Sequence, residues 1–222
     1  MEPADNKKII LTEDGSSTIY NSELNQHYHS IHGAIQESQH VFMKMGFEEI
    51  IKSKSEISIL EIGFGTGLNA FLVLLESLKV VYTSLEAFPL EEKEFTLLNY
   101  AEQLNVPEKQ SDFLKLHSSP WEIPISINEN FTINKKKVKL EDFIFDNNSF
   151  DLIFFDAFSP EVQPELWTEE IFRKIFSATK PKGILVTYCA KGQVRRNMIA
   201  AGFSVERLEG PPGKREMLRG RK

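Results

Sequence analysis

Strands alternating with helices from Ile57 onward, a glycine-rich turn set between a strand and a helix, and acids standing at strand ends predict an α/β chain. The expected architecture is a Rossmann-like, doubly wound sheet with a small β-rich N-terminal extension. At 222 residues, 41% hydrophobic and 26% charged, the chain has the size and balance of one globular domain. The extension and a helix are assigned to 1–46, and the main domain to 47–222 with a hairpin insertion near 125–140.

In order, the turn signals Glu13-Asp14-Gly15-Ser16-Ser17 and Tyr20-Asn21-Ser22 separate short β-branched runs. A helix follows from Gly33 to about Gly46. Ser58 to Ile62 is a short apolar strand stopped by Gly63, and Leu68 to Leu78 reads as a helix rich in Leu and Phe. Val80 to Glu86 is the next strand and Pro89 to Leu104 the next helix. Pro107, Pro120 and Pro124 then break the rhythm. Phe131 to Leu140 reads as a hairpin turning near Asn134 to Lys136 and leading to a strand that ends at Asp142. Phe150 to Phe155 and Gly183 to Cys189 are further strands, separated by a helix around Glu169 to Ala178.

Several classes are set aside. No apolar run approaches the roughly 18 residues of a membrane span. The start Met1-Glu2-Pro3-Ala4-Asp5-Asn6-Lys7-Lys8 has no following apolar region, so a cytoplasmic protein is expected. A single cysteine, Cys189, rules out an intrachain disulfide and Cys-rich metal sites. His27, His29 and His32 lack a matching partner, so no metal is expected. The net charge is −6, yet residues 180–222 hold eleven basic side chains against three acids. That asymmetry suits a polyanion-binding face on an acidic body, or equally a solvated basic tail.

The strongest motif is Glu61-Ile-Gly63-Phe-Gly65-Thr-Gly67. Glycines permit a tight turn and a close approach of ligand to main chain. The dinucleotide fingerprint needs a glycine where Leu68 stands, so a nicotinamide cofactor is disfavoured. Glu86, about twenty residues on, can accept from both ribose hydroxyls, and Glu61 would suit a cationic ligand group such as the amino group of a methionine moiety. This combination favours S-adenosylmethionine over NAD. Asp156, in Phe154-Phe-Asp-Ala-Phe-Ser-Pro160, should stand at a carboxyl strand end and is the catalytic candidate. A carboxylate there can orient an amine nucleophile, stabilise the developing ammonium, or take its proton. Asp142 and Phe143 are assigned to the adenine edge and face. Trp167 is assigned to the pocket wall, and Arg195, Arg196, Lys214 and Arg215 to phosphates.

These motifs together resemble the methyltransferase domain of the bifunctional tRNA-modification enzyme MnmC and its stand-alone MnmD-type relatives. The resemblance runs from about Tyr28 to Gly220. It is carried by Gly33 to Phe42, Gly63 to Asn69, Glu86-Ala-Phe-Pro89, Asp156 to Pro160, Trp167-Thr168, Val194-Arg-Arg196, Ala201-Gly-Phe203 and Lys214 to Leu218. It implies methyl transfer from S-adenosylmethionine to 5-aminomethyl(-2-thio)uridine at the tRNA wobble position. The implied cofactor residues are Gly63, Gly65, Gly67, Asn69, Glu86 and Asp142, with Ser30 and Glu37 nearby. Asp156 would face the amine, with Phe158, Pro160 and Trp167 around the base and the four basic residues on tRNA. Ala157 and Ser159 stand where the family often has Gly and Ala. With no oxidase half in these 222 residues, the expected substrate is ready-made aminomethyluridine, linking the chain functionally to enzymes that make it. The competing expectations are a methyltransferase of the same fold acting on a small-molecule or protein amine, and an RNA-binding or nucleotide-sensing module without turnover.

Overall fold

A computed structural model describes residues 6–222, so the part of the no-signal reading that concerns Met1 to Asp5 lies outside the described residues. Strands β1 (Lys7–Leu11), β2 (Ser17–Asn21) and β3 (Gln26–His27) form a separate antiparallel sheet. Asp14 makes the first turn, its Oδ1 accepting from Thr12 Oγ1 at 2.7 Å and from Ser16 N at 3.0 Å. Its Oδ2 accepts from Gln36 N at 3.0 Å and so ties the turn to α1 (Ala34–Ser38). That helix widens into a π-helical stretch, Gln39–Phe47, before α2 (Glu48–Ile50).

The main sheet follows from β4 (Glu56–Ile62), α3 (Leu68–Leu74), β5 (Lys79–Leu85), α4 (Glu92–Phe95), α5 (Tyr100–Gln103) and α6 (Gln110–Ser118). Then come β6 (Pro124–Ser126), β7 (Phe131–Lys136), β8 (Phe150–Phe155), α7 (Glu169–Ala178) and β9 (Thr179–Thr187). The chain closes with α8 (Gly192–Ala201), β10 (Ser204–Glu209) and β11 (Glu216–Arg221). The strand order is β10-β11-β9-β8-β4-β5-β7-β6, with β9, β8, β4, β5 and β7 parallel. The order reverses between β4 and β8, so the carboxyl ends of these neighbours mark the switch point.

The central strands are apolar on both sides because both faces are covered. Ile57, Ile59, Leu152, Phe154 and Val186 pack with α1, α3 and α6 on one face. Leu60, Ile62, Ile153, Phe155 and Leu185 pack with α7 and α8 on the other. Helix α7 buries Ile171, Phe172, Ile175 and Ala178, and Thr168 caps it by accepting from Ile171 N at 3.3 Å. No helix among the described residues is long and apolar enough to cross a membrane.

The doubly wound fold is as the sequence predicts, with local differences. The hairpin joins β6 to β7 and turns at Asn128, whose Oδ1 accepts from the N–H groups of Asn130 and Phe131, both at 2.8 Å. Asn134 to Lys136 instead continue β7 beside β5. Asp142 ends a 3₁₀ turn, Leu140–Asp142, rather than a strand. The single helix expected over 89–104 is split, because Asn99 turns to the N-terminal sheet. Its Oδ1 accepts from Ser17 N and Oγ, and its Nδ2 donates to Gly15 O at 3.0 Å. The basic C-terminal segment folds into α8 and the antiparallel pair β10–β11.

Candidate active site

The glycine turn is built by the switch point itself. Gly63 N donates to Leu85 O and Asp156 N to Ile62 O, both at 2.9 Å, so the ends of β4, β5 and β8 are laced together. Gly63 has φ +89°, and a Cβ there would stand 2.7 Å from the carbonyl oxygen of Asp156. Only glycine allows the two strand ends to approach so closely. Gly65 and Gly67 also have positive φ, and Gly67 starts α3.

A cleft of about 930 Å³ opens above this turn. Gly63, Gly65, Asn69, Glu86, Asp156 and Phe158 line it from the sheet end, and Ser30, Glu37 and Lys214 line it from the extension and the β10–β11 loop. Glu86 is clamped in place, Oε2 accepting from Gly65 N at 3.0 Å and Oε1 from Phe88 N at 2.8 Å. Its remaining lone pairs are free for hydroxyl donors.

Asp156 Oδ2 accepts from Asn69 Nδ2 at 2.8 Å. Burial, followed by the neighbouring Glu37 charge, raises its carboxyl to about 7. Glu37 accepts from Ser30 N at 2.8 Å and pairs with Lys214. That ammonium also lies 4.0 Å from the Tyr188 ring centroid, and Tyr188 OH donates to Ala157 O at 2.9 Å. His29 bonds Thr66 Oγ1 at 2.7 Å, and burial lowers its pKa to about 4, so it is neutral near pH 7. The arrangement can hold a cationic or neutral amine beside a carboxylate able to take a proton near neutrality.

The remaining residues singled out in the sequence lie outside the cleft lining. Glu61 is fully buried behind it, its Oε2 accepting from Ser84 Oγ at 2.7 Å, and burial pushes its carboxyl well above the usual range. Gly67 faces His117. Asp142 is exposed beside the lining residues Leu140 and Glu141, and Phe143 packs on Phe145 against the core. Pro160 lies beyond the lining residue Ser159. Trp167, only 3% exposed, packs on Phe155, and its Nε1 donates to Phe158 O at 2.8 Å, supporting the loop from below. Arg195, Arg196 and Arg215 lie outside and carry no ion pair among the described residues, and Arg195 Nε is buried without a partner. Sequence reasoning passed over Tyr28 and Tyr188 and weighed His29 only as a metal ligand, and all three line the cleft. Tyr188 was findable, since it follows a parallel strand at its carboxyl end; nothing local marked Tyr28.

Residues 104–222 match a family model described as S-adenosyl-L-methionine-dependent methyltransferase. The chain is 30% identical, over 91% of its length, to the tRNA 5-methylaminomethyl-2-thiouridine biosynthesis bifunctional protein MnmC of Nitrosospira multiformis, and covers 35% of that protein. The same figure of 30% holds for the MnmC of Ectopseudomonas mendocina, over 87% of this chain and 32% of the relative. The chain thus spans about a third of the length of these curated relatives. The crystal structure of MnmC2 from Aquifex aeolicus superposes with a TM-score of 0.78 at 27% identity, covering 98% of this chain and 71% of that one. A spermidine synthase from Thermotoga maritima, at 14% identity and TM-score 0.54 over 98% of this chain and 70% of its own, shares the fold. With more than half its length matched by the family model, the chain belongs to the S-adenosyl-L-methionine-dependent methyltransferases.

Proposed function

We propose that the protein methylates the amine of 5-aminomethyl(-2-thio)uridine at the tRNA wobble position, giving 5-methylaminomethyl(-2-thio)uridine. The observation that carries the reading is Asp156, set at the switch point, bonded by Asn69 and held near 7 in a cleft that also presents the glycine turn and Glu86. The names of the MnmC relatives supply the nucleoside.

The cleft fits the cofactor. Its volume lies within the usual range for ligand sites, about 300–1,000 Å³. Gly65 offers main chain without a side chain, Glu86 offers a fixed acceptor for ribose hydroxyls, and Asn69 Oδ1 is a buried acceptor without a partner. Bound here, S-adenosylmethionine would supply an electrophilic methyl group. The chain's own work concerns the amine. An alkylammonium is no nucleophile, and Asp156, titrating near 7, can take its proton while still ionised in a useful fraction. Once that proton has passed on to solvent, the restored carboxylate accepts from an N–H of the neutral amine and stabilises the charge that grows on nitrogen. Phe158, braced edge-to-face by Tyr28 with centroids 5.1 Å apart, is placed to flank a base. Asp142, Phe143, Pro160 and Trp167 would act from the rim or through Phe158, and Arg195, Arg196 and Arg215 would bind phosphates outside the cleft.

The test is transfer of labelled methyl to tRNA bearing aminomethyluridine, read by nucleoside mass analysis, with the carboxymethylaminomethyl form as control. A gain of one methyl on the aminomethyl form alone supports the reading. Cofactor binding without transfer to any tRNA would overturn it in favour of a small-molecule or protein amine.

A further inference from the structure

Phe158 is held through its main chain on both sides. Its carbonyl oxygen accepts from Trp167 Nε1 at 2.8 Å, and its N–H donates to Gln163 Oε1 at 3.1 Å. Gln163 is fixed in turn. Its own N–H donates to Ser159 O at 3.0 Å, its carbonyl oxygen accepts from Leu166 N at 3.2 Å, and Pro164 behind it narrows its backbone freedom.

A main-chain N–H needs an acceptor, so the amide oxygen of Gln163 faces Phe158 and its NH₂ is turned away from that bond. Nothing among the described residues accepts from this Nε2, and Gln163 is a half-buried residue of the cleft wall. Its neighbours on that wall do not duplicate it. Ser159 Oγ can give or take a hydrogen bond by rotating, and the Glu165 carboxylate can only accept. Gln163 is a neutral donor whose sense is set by the loop.

Such a donor tells pyrimidines apart. Uracil carries a carbonyl oxygen at C4 where cytosine carries an amino group, while C2 is a carbonyl in both. C4 adjoins C5, the ring carbon whose aminomethyl arm has to reach Asp156, and Phe158 follows Asp156 closely in the chain. The C4 substituent is thus the ring group nearest the segment to which Gln163 is bonded. We propose that Gln163 is a specificity-determining residue whose amide N–H donates to the C4 carbonyl oxygen of the target base and so selects uracil over cytosine. The inference rests on the reading that Asp156 faces the aminomethyl group of a pyrimidine flanked by Phe158. A cytosine in the same place would set two donors against each other and leave both unpaired.

The test compares two anticodon stem-loops that differ only in carrying 5-aminomethyluridine or 5-aminomethylcytidine at the wobble position. The parent should favour the uridine form about 30-fold in kcat/KM. Gln163→Glu keeps an acceptor for Phe158 N but replaces the donor with a group that suits the cytosine amine, and should bring the ratio to within about threefold of unity or past it. The added charge weakens both stem-loops alike and leaves their ratio untouched, and S-adenosylmethionine affinity by calorimetry should change less than about threefold. If Gln163→Glu does not fold, Gln163→Leu decides, since loss of the donor alone should bring the ratio below about fivefold. A parent without preference, as a donor aimed at C2 would give, or a ratio that the variants leave at the parent's value, would overturn the proposal. Affinity for the two stem-loops, measured with S-adenosylhomocysteine bound, repeats the comparison without turnover. A binding preference that Gln163→Glu abolishes, with neither stem-loop methylated, would strike the methyl-acceptor reading and uphold Gln163. Methylation of both stem-loops at equal rates would uphold that reading and strike Gln163.

Discussion

Lys214 and Glu37, 177 residues apart in sequence, close the cleft as an ion pair, with Glu37 8% and Lys214 34% exposed at the side chain. The loop between β10 and β11 is thereby pinned to the extension. Removing one partner of such a pair strands the other. Lys214→Ala is expected to destabilise the fold by about 2 kcal/mol, below the range for fully buried pairs because the lysine is partly solvated. The Glu37 carboxyl is lowered in the fold; burial opposes this, but the Lys214 charge and the other partners outweigh it. Its contribution is therefore present above the ordinary Glu range and lost as pH falls through the lowered value. Urea unfolding at pH 7 and pH 3 should show the variant's deficit shrinking at the lower pH. A constant deficit would contradict the assignment.

Asp156 has the opposite sign. Its carboxyl is raised from 3.8 to about 7, so folding favours the protonated form and stability falls as pH rises across that window. Asp156→Asn should therefore gain about 1–2 kcal/mol at pH 8 while losing at least about 100-fold in methyl transfer. The parent's activity should rise through an acid limb near 7. Glu37→Gln, which removes the second cause of that raised value, should move the limb to lower pH. A limb that stays put would show that Glu37 does not act on Asp156.

Alternating strands and helices made the sheet legible in sequence, and the glycine turn with Glu86 and Asp156 made the cleft legible. These signals are local, since a strand end and its turn lie within a few residues. What escaped depends on distant partners. Asn99 breaks a helix because Ser17 and Gly15 claim its amide, and Glu61 is sealed behind the turn because β5 and β8 flank it. Lys214, counted in sequence with the basic tail, is held by Glu37 from the other end of the chain.

The glycine turn offers a test of cofactor binding. Gly65 has φ +50° and a Cβ there would come within 3.2 Å of the Tyr28 ring. Gly65→Ala is expected to weaken S-adenosylmethionine binding about tenfold or more by calorimetry, from strain of about 1–2 kcal/mol and a narrowed approach. Glu86→Gln should weaken it too, by losing charge from the acceptor and a bond to Gly65 N. Unchanged affinity in both would place the cofactor elsewhere in the cleft.

The charge on the C-terminal segment is less available than its count suggests. Lys180 pairs with Asp151, Lys191 with Glu161, Arg207 with Glu216, and Arg219 and Arg221 with Glu206. Arg195, Arg196 and Arg215 carry no ion pair among the described residues. A phosphate contact releases counterions in proportion to the charges engaged, so these arginines and not Lys214 should set the salt dependence of tRNA binding. The double variant Arg195→Ala/Arg196→Ala is expected to weaken tRNA binding and to reduce the slope of log affinity against log salt by about 1–2. Lys214→Ala should leave that slope unchanged, because its charge is already answered by Glu37. Filter binding across a salt series separates the two. A slope reduced by Lys214→Ala and untouched by the arginine pair would reverse the assignment and bring the tRNA backbone to the mouth of the cleft.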